Sequence, residues 1–217
     1  MRRIVLSLIV ASMAVAAPAQ KAQAYSLMGG QTLGVFDYGL QVTLGYPGLD
    51  ARFHIPLLDD LEIIPRLSFF YSGNSFGGGL SPDVVGNYVG ADVRLRLLKE
   101  GRLSLALAWE LGAFWSYDKV TVAGLRLALP GGVKGGYQLN DDINLVFGAN
   151  MPIGVIFTDP EVFTLPIEFG VGAEVKLTEK VNLIVYVEGG PVILLPGVGD
   201  SSVQGSLDAS IGVQYLL

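Results

Sequence analysis

From residue 31 onward the chain alternates apolar with small or polar positions, and a two-residue period marks strands whose two faces differ. In the first stretch Phe36, Tyr38, Leu40, Val42 and Leu44 share one face, while Asp37, Gly39, Gln41 and Thr43 share the other. The last stretch, "SLDASIGVQYLL", keeps the alternation through Leu217. The pattern predicts ten strands, near 32–45, 49–57, 61–71, 85–98, 102–117, 123–139, 143–157, 164–177, 181–195 and 203–217. Two kinds of connection alternate between them. Leu58-Asp59-Asp60, Lys99-Glu100-Gly101, Asn140-Asp141-Asp142 and Thr178-Glu179-Lys180 have the chemistry of tight hairpin turns. The others, such as Tyr46-Pro47-Gly48 and the run from Ser72 to Val84, are longer or richer in Gly and Pro. Ten strands in a meander close most simply when the first pairs with the last. The expected fold is therefore all-β, a single antiparallel up-and-down barrel of about ten strands over residues 31–217, with eight strands as the alternative.

Alternation alone does not say which way the apolar face points, because small soluble barrels turn it inward. Charge placement does. Strand parity puts nine acids (Asp37, Asp50, Glu62, Asp92, Glu110, Glu168, Glu174, Glu188, Asp208) and eight bases (Arg52, Arg66, Arg94, Arg96, Arg102, Arg126, Lys134, Lys176) on the polar faces. The remaining charges after residue 24 fall in connections. Acids and bases in near balance suit a confined interior, where an unpaired ion is costly. The same faces carry many glycines, which would weaken exposed strands. The apolar faces are bulky and continuous, as in Leu103, Leu105, Leu107, Trp109, Leu111, Ala113 and Trp115, and lipid is the better neighbour for them. If the tight turns face the periplasm, Tyr71, Trp115, Tyr117 and Phe157 lie near the outer interface. Phe36, Tyr137 and Tyr215 then lie near the inner one, as an aromatic girdle requires.

Composition agrees with a membrane site. Hydrophobic residues make up 51% of the chain and charged residues only 16%, against about 25% in ordinary soluble domains. The first 24 residues read separately, as a Sec-type signal peptide. Arg2 and Arg3 precede an apolar run from Ile4 to Ala17, and Ala22-Gln23-Ala24 forms the cleavage site. Cleavage after Ala24 leaves a short lead, 25–30, before the barrel. It lowers the basic residues from 14 to 11 against 20 acidic ones, a net charge of about −9 that argues against nucleic acid as a partner. The chain has no cysteine, so neither disulfides nor thiolate metal ligands hold it together.

The pattern over Gln31 to Leu217 resembles the small porin-like β-barrel proteins of the Gram-negative outer membrane. Its most specific part is Ser210-Ile211-Gly212-Val213-Gln214-Tyr215-Leu216-Leu217, which looks like the family's C-terminal assembly signal, with Gly212, Tyr215 and Leu217 at the key positions. The family commonly ends in Phe, and this chain ends in Leu217. The resemblance implies recognition by the barrel-assembly machinery and residence, as a monomer, among outer-membrane lipid and lipopolysaccharide.

Candidate chemistry centres on the lumen. Asp50, Arg52, His54, Glu62, Arg66, Asp92, Arg94, Arg96, Glu110, Arg126, Glu168, Glu174 and Glu188 are expected to form an inward charge network. Such a network either plugs the barrel with salt bridges or lines a narrow solute path. Phe70, Phe114 and Ile156 near the outer mouth leave open a binder of small hydrophobic molecules. The only histidine, His54, sits on a polar face, and no His/Asp or Ser/His arrangement accompanies it. A hydrolase is accordingly the least supported reading, and the expectation is a protein without catalytic residues, cofactor or metal.

Overall fold

The computed structural model describes residues 25–71, 85–117, 123–127 and 131–217. Thirteen strand segments form one antiparallel sheet: β1 (Gly39–Tyr46), β2 (Gly48–Leu58), β3 (Leu61–Phe70), β4 (Gly86–Glu100), β5 (Leu103–Ser116), β6 (Ala123–Leu127), β7 (Gly132–Gln138), β8 (Ile143–Asn150), β9 (Ile153–Phe157), β10 (Val162–Pro166), β11 (Glu168–Lys176), β12 (Val181–Pro196) and β13 (Ser202–Leu216). β5 pairs with both β6 and β7, and β12 with both β10 and β11, so β6/β7, β8/β9 and β10/β11 are halves of three long strands. Counted that way, the sheet is a closed ring of ten strands. Closure is made by β1 and β13, in register from Gly39↔Leu216 to Tyr46↔Ala209, and Leu217 donates its amide to the Tyr38 carbonyl at 2.9 Å. The alternation runs to the last residue because the final strand has a neighbour on each side.

The three breaks have local causes. Pro152 separates β8 from β9 and Pro166 ends β10, and proline brings no N–H to a ladder. Gly131, just before β7, takes a positive φ of 111° that side chains other than hydrogen disfavour. The predicted strands otherwise stand within a few residues, with one larger difference. The first begins at Gly39, not near residue 32, and the residues before it leave the wall. Phe36 has a φ of 85° and is 85% exposed, so it is not on the strand where alternation put it.

The molecule is inverted relative to a soluble barrel. Leu67, Leu111, Phe169, Val171 and Ile211 are more than half exposed, while Glu62, His54, Gln214, Glu174 and Arg94 are almost wholly buried. Burying charge inside and exposing large apolar side chains outside is stable only where the outside is itself apolar.

Wall height varies around the ring. β1 is 8 residues long, whereas β12 and β13 have 16 and 15. Because β1 stops at Tyr46, opposite Ala209, the stretch Ser202–Asp208 of β13 has no strand partner on that side among the described residues.

Candidate functional site

The lumen is organised in two tiers. In the tier nearer the tight turns, residues 25–33 leave the wall and fill the interior, burying Ser26, Leu27, Gly29, Gly30 and Leu33. Charged side chains of the wall hold this segment by its main chain. Glu174 Oε1 accepts from the amides of Leu27 (3.0 Å) and Met28 (2.9 Å), and Glu62 Oε2 accepts from Leu33 (3.3 Å). Arg94 Nη1 donates to the carbonyls of Leu27 (2.8 Å) and Gly29 (2.9 Å), while its Nη2 pairs with Glu62. His54 Nδ1 lies 3.3 Å from Glu62 Oε1 in the same cluster. A segment without a strand partner must satisfy its amides and carbonyls somehow, and here the side chains of Glu62, Arg94 and Glu174 do so.

Uncharged groups complete the tier. Gln214 Nε2 and Asn144 Nδ2 donate to Glu174 at 2.7 and 2.8 Å, and Asn182 Nδ2 donates to the Tyr25 carbonyl at 3.0 Å. The Tyr25 hydroxyl donates to the Lys180 carbonyl at 2.7 Å. Burial raises its pKa, which keeps it a neutral donor. Gly30 sits so close to the wall that a Cβ there would come within 2.6 Å of the Leu105 backbone.

The second tier, toward the longer connections, surrounds a cavity of about 120 Å³. Asp50 receives Arg52 Nε, Arg66 Nε and Ser68 Oγ, each at 2.5 Å. Arg52 also reaches Asp92 at 3.7 Å, and Arg66 reaches Glu110 at 3.9 Å, with Tyr88 donating to Glu110 at 2.8 Å. The Arg66 guanidinium lies 5.1 Å from the Tyr88 ring centre, a cation–π contact. Across the cavity stand Lys134, Glu168, Tyr186, Glu188 and Asp208. Above this tier Phe70, Tyr88, Phe114 and Ile156 pack together with Val162, so the apolar side chains at that end form a filled cluster.

Lumen glycines serve these aromatics. A Cβ on Gly112 would come 2.2 Å from the Tyr88 hydroxyl, one on Gly124 2.3 Å from Phe114 Cζ, and one on Gly170 2.0 Å from the Tyr186 hydroxyl. Each ring lies against a glycine of the neighbouring strand, in space a side chain would fill.

Of the residues expected in the lumen, the structure brings His54, Glu62, Arg94 and Glu174 to the first tier and Asp50, Arg52, Arg66, Asp92, Glu110, Glu168 and Glu188 to the second. Arg96 lies apart, paired with Asp60 in the β2–β3 turn, next to a register shift between Arg96 and Leu98. Arg126 is on β6, and its side chain falls outside the described residues, as do residues 1–24 with the expected signal peptide. Tyr71, Trp115, Tyr117 and Phe157 stand at the end with the longer connections, and Tyr137 and Tyr215 at the tight-turn end. Gly212 lies against the β1 backbone, where a Cβ would meet the Val42 carbonyl oxygen at 2.2 Å. Sequence reasoning missed the inward course of residues 25–33. The available signal was negative: "YSLMGGQTL" breaks the alternation with paired glycines. It also passed over Gln41, Gln214, Asn144 and Asn182, because it followed formal charge alone.

No known family model matches the chain, and no curated protein matches it. Solved structures similar to it include the outer membrane protease OmpT from Escherichia coli (10% identity, 85% of this chain and 94% of that one, TM-score 0.41). A second is the KdgM porin solved with disordered oligogalacturonate (12%, 82% and 96%, TM-score 0.39), and a third the COG4313 outer membrane channel from Pseudomonas putida F1 (13%, 89% and 99%, TM-score 0.39). At such low identity and similarity the assignment of fold rests on this chain's own pairings, and by those it is a closed ten-stranded antiparallel barrel.

Proposed function

We propose that the protein is an integral barrel of the bacterial outer membrane, exported by its signal peptide, whose lumen is a narrow small-solute path closed at the periplasmic end by residues 25–33. The observation that carries this reading is the docking of that segment's main chain on Glu62, Arg94 and Glu174. A barrel serving only as a wall is filled by its own side chains, as small eight-stranded ones are. Here the plug is a chain segment on ionised groups, which water solvates equally well once the segment withdraws. The charged second tier continues the same polar route.

The remaining expectations fit this reading. The apolar outer surface is suited to lipid and the outer-leaflet lipopolysaccharide, the C-terminal octet to the assembly machinery, and a ring complete in one chain to a monomer. We read the protein as non-enzymatic, because His54 is 1% exposed and engaged with Glu62 and Arg94. The packing of Phe70, Tyr88, Phe114 and Ile156 against one another favours a polar solute over a hydrophobic ligand.

Gly30→Val tests the reading. A valine has no room against the Leu105 backbone, so the variant unseats the plug while leaving every wall strand unchanged. In planar bilayers the wild type is expected to stay largely closed, and the variant to show stable small conductance. Silence from both, with folded barrels inserted, would make the lumen a structural plug.

A further inference from the structure

The two sides of the second-tier cavity are unequal. On the β2–β5 side each carboxylate has a base or hydroxyl in contact: Asp50 holds two arginines, Asp92 faces Arg52, and Glu110 takes Tyr88 and Arg66. On the far side Glu188 of β12 and Asp208 of β13 stand directly opposite one another in register, both lining the cavity. Like charges at directly opposed positions destabilise a strand pair. Neither makes a salt bridge among the described residues. Lys134, the base on that side among the described residues, faces Glu188 without a salt bridge and has its ammonium 5.9 Å from the Tyr186 ring centre. Arg66 and Arg52 act on Asp208 only from a distance, so one lysine stands against two carboxylates.

Two more atoms on the cavity wall want the same thing. The Tyr186 hydroxyl belongs to a residue only 5% exposed and, with the Lys134 ammonium beside it, still lacks a close hydrogen bond, and Asp92 Oδ1 is buried without one. An ionised carboxylate only accepts, and a phenol oxygen accepts as well as donates. The missing component is therefore a positively charged donor of several N–H bonds. A primary ammonium supplies three. A bare metal ion fits less well, since no three carboxylate or imidazole groups among the described residues converge closely enough to hold one.

We propose that the cavity is a binding site for a small organic cation, a primary aliphatic amine whose ammonium sits between Glu188 and Asp208 near the Tyr186 hydroxyl. It is reached at the lowest point of the wall, where Pro47 of the β1–β2 turn, Gly48 at the start of β2 and Ser206 of β13 line it and Asp208 is exposed. The site stands apart from the question of conduction, because it lies above the plug and binding needs no passage.

Calorimetric titration of the purified, folded full chain in detergent with n-butylammonium tests it, with n-butanol as the neutral analogue. Saturable one-to-one binding of the amine, in about the millimolar range for so small a ligand, and none of the alcohol is expected. Glu188→Gln and Asp208→Asn should each weaken it by about tenfold or more. Both changes remove the like-charge repulsion between the two strands, and a heat-dependent shift in SDS-gel mobility identifies the variants that have folded. Glu179→Gln, the same charge change in a turn, should leave affinity unchanged. The proposal is overturned if the amine shows no saturation, if the alcohol binds equally, if neither lumen variant weakens binding, or if Glu179→Gln weakens it as much.

Discussion

Glu62 has no solvent exposure, and its carboxylate serves three neighbours at once: the Arg94 guanidinium, His54 Nδ1 and the Leu33 amide. Two of those partners belong to the wall and one to the plug, so a single side chain couples the barrel to the segment inside it. Replacing it strands Arg94, itself 3% exposed, as a buried charge without a counterion. Glu62→Leu is expected to cost about 3–5 kcal/mol of stability, the usual penalty for breaking one half of a buried pair. Glu62→Leu with Arg94→Met should recover much of it, because removing both charges avoids the desolvation that neither ion alone can offset. Urea unfolding of the two variants in detergent checks this, and equal destabilisation of single and double variants would contradict it. The alternation placed Glu62 and Arg94 on one face, and both are buried. It could not show that they meet, since that depends on the pairing of β3 with β4, which sets Glu62 opposite Arg94.

Among the elements, β4 and β5 show how lumen glycines and aromatics are matched. Tyr88 of β4 lies across Gly112 of β5 with its hydroxyl on Glu110. Gly112→Val is expected to push the ring from its seat, lower the thermal midpoint and disturb the apolar cluster that Tyr88 shares with Phe70, Phe114 and Ile156. Adding Tyr88→Ala should lessen the loss, since the valine then enters vacated space. Differential scanning fluorimetry of wild type, single and double variants would decide, and a single variant as stable as wild type would remove the steric account. At this scale most of the fold was legible. Period-two alternation is a local property, and it located nine of the ten strand starts closely because each apolar face must meet one continuous environment. The breaks at Pro152 and Pro166 were also present in the sequence, as prolines inside alternating runs, but alternation continues across them and hid them. Residues 25–38 were misjudged for a different reason. Phe36 to Leu44 alternate as a strand does, yet the chain joins the wall only at Gly39, because Phe36 takes a positive φ and residues 25–33 turn inward onto the lumen carboxylates. The plug depends on contacts between residues 29 to 147 positions apart, from Leu33 with Glu62 to Leu27 with Glu174, and no local pattern encodes those.

For the molecule as a whole, the deciding feature is the inversion of faces. Exposed Leu111, Val171 and Ile211 and buried Glu62, Glu174 and Arg94 make sense together only if the ring is surrounded by hydrocarbon. The absence of native cysteine makes the point open to direct measurement, since one engineered cysteine carries one probe. Nitroxide labels at positions 111, 171 and 211 of the chain reconstituted into phospholipid vesicles should be strongly accessible to dissolved oxygen, which concentrates in the bilayer. They should be shielded from a water-soluble nickel complex. Labels accessible to the nickel complex at all three positions, with the barrel folded, would show the apolar face in water and contradict the account.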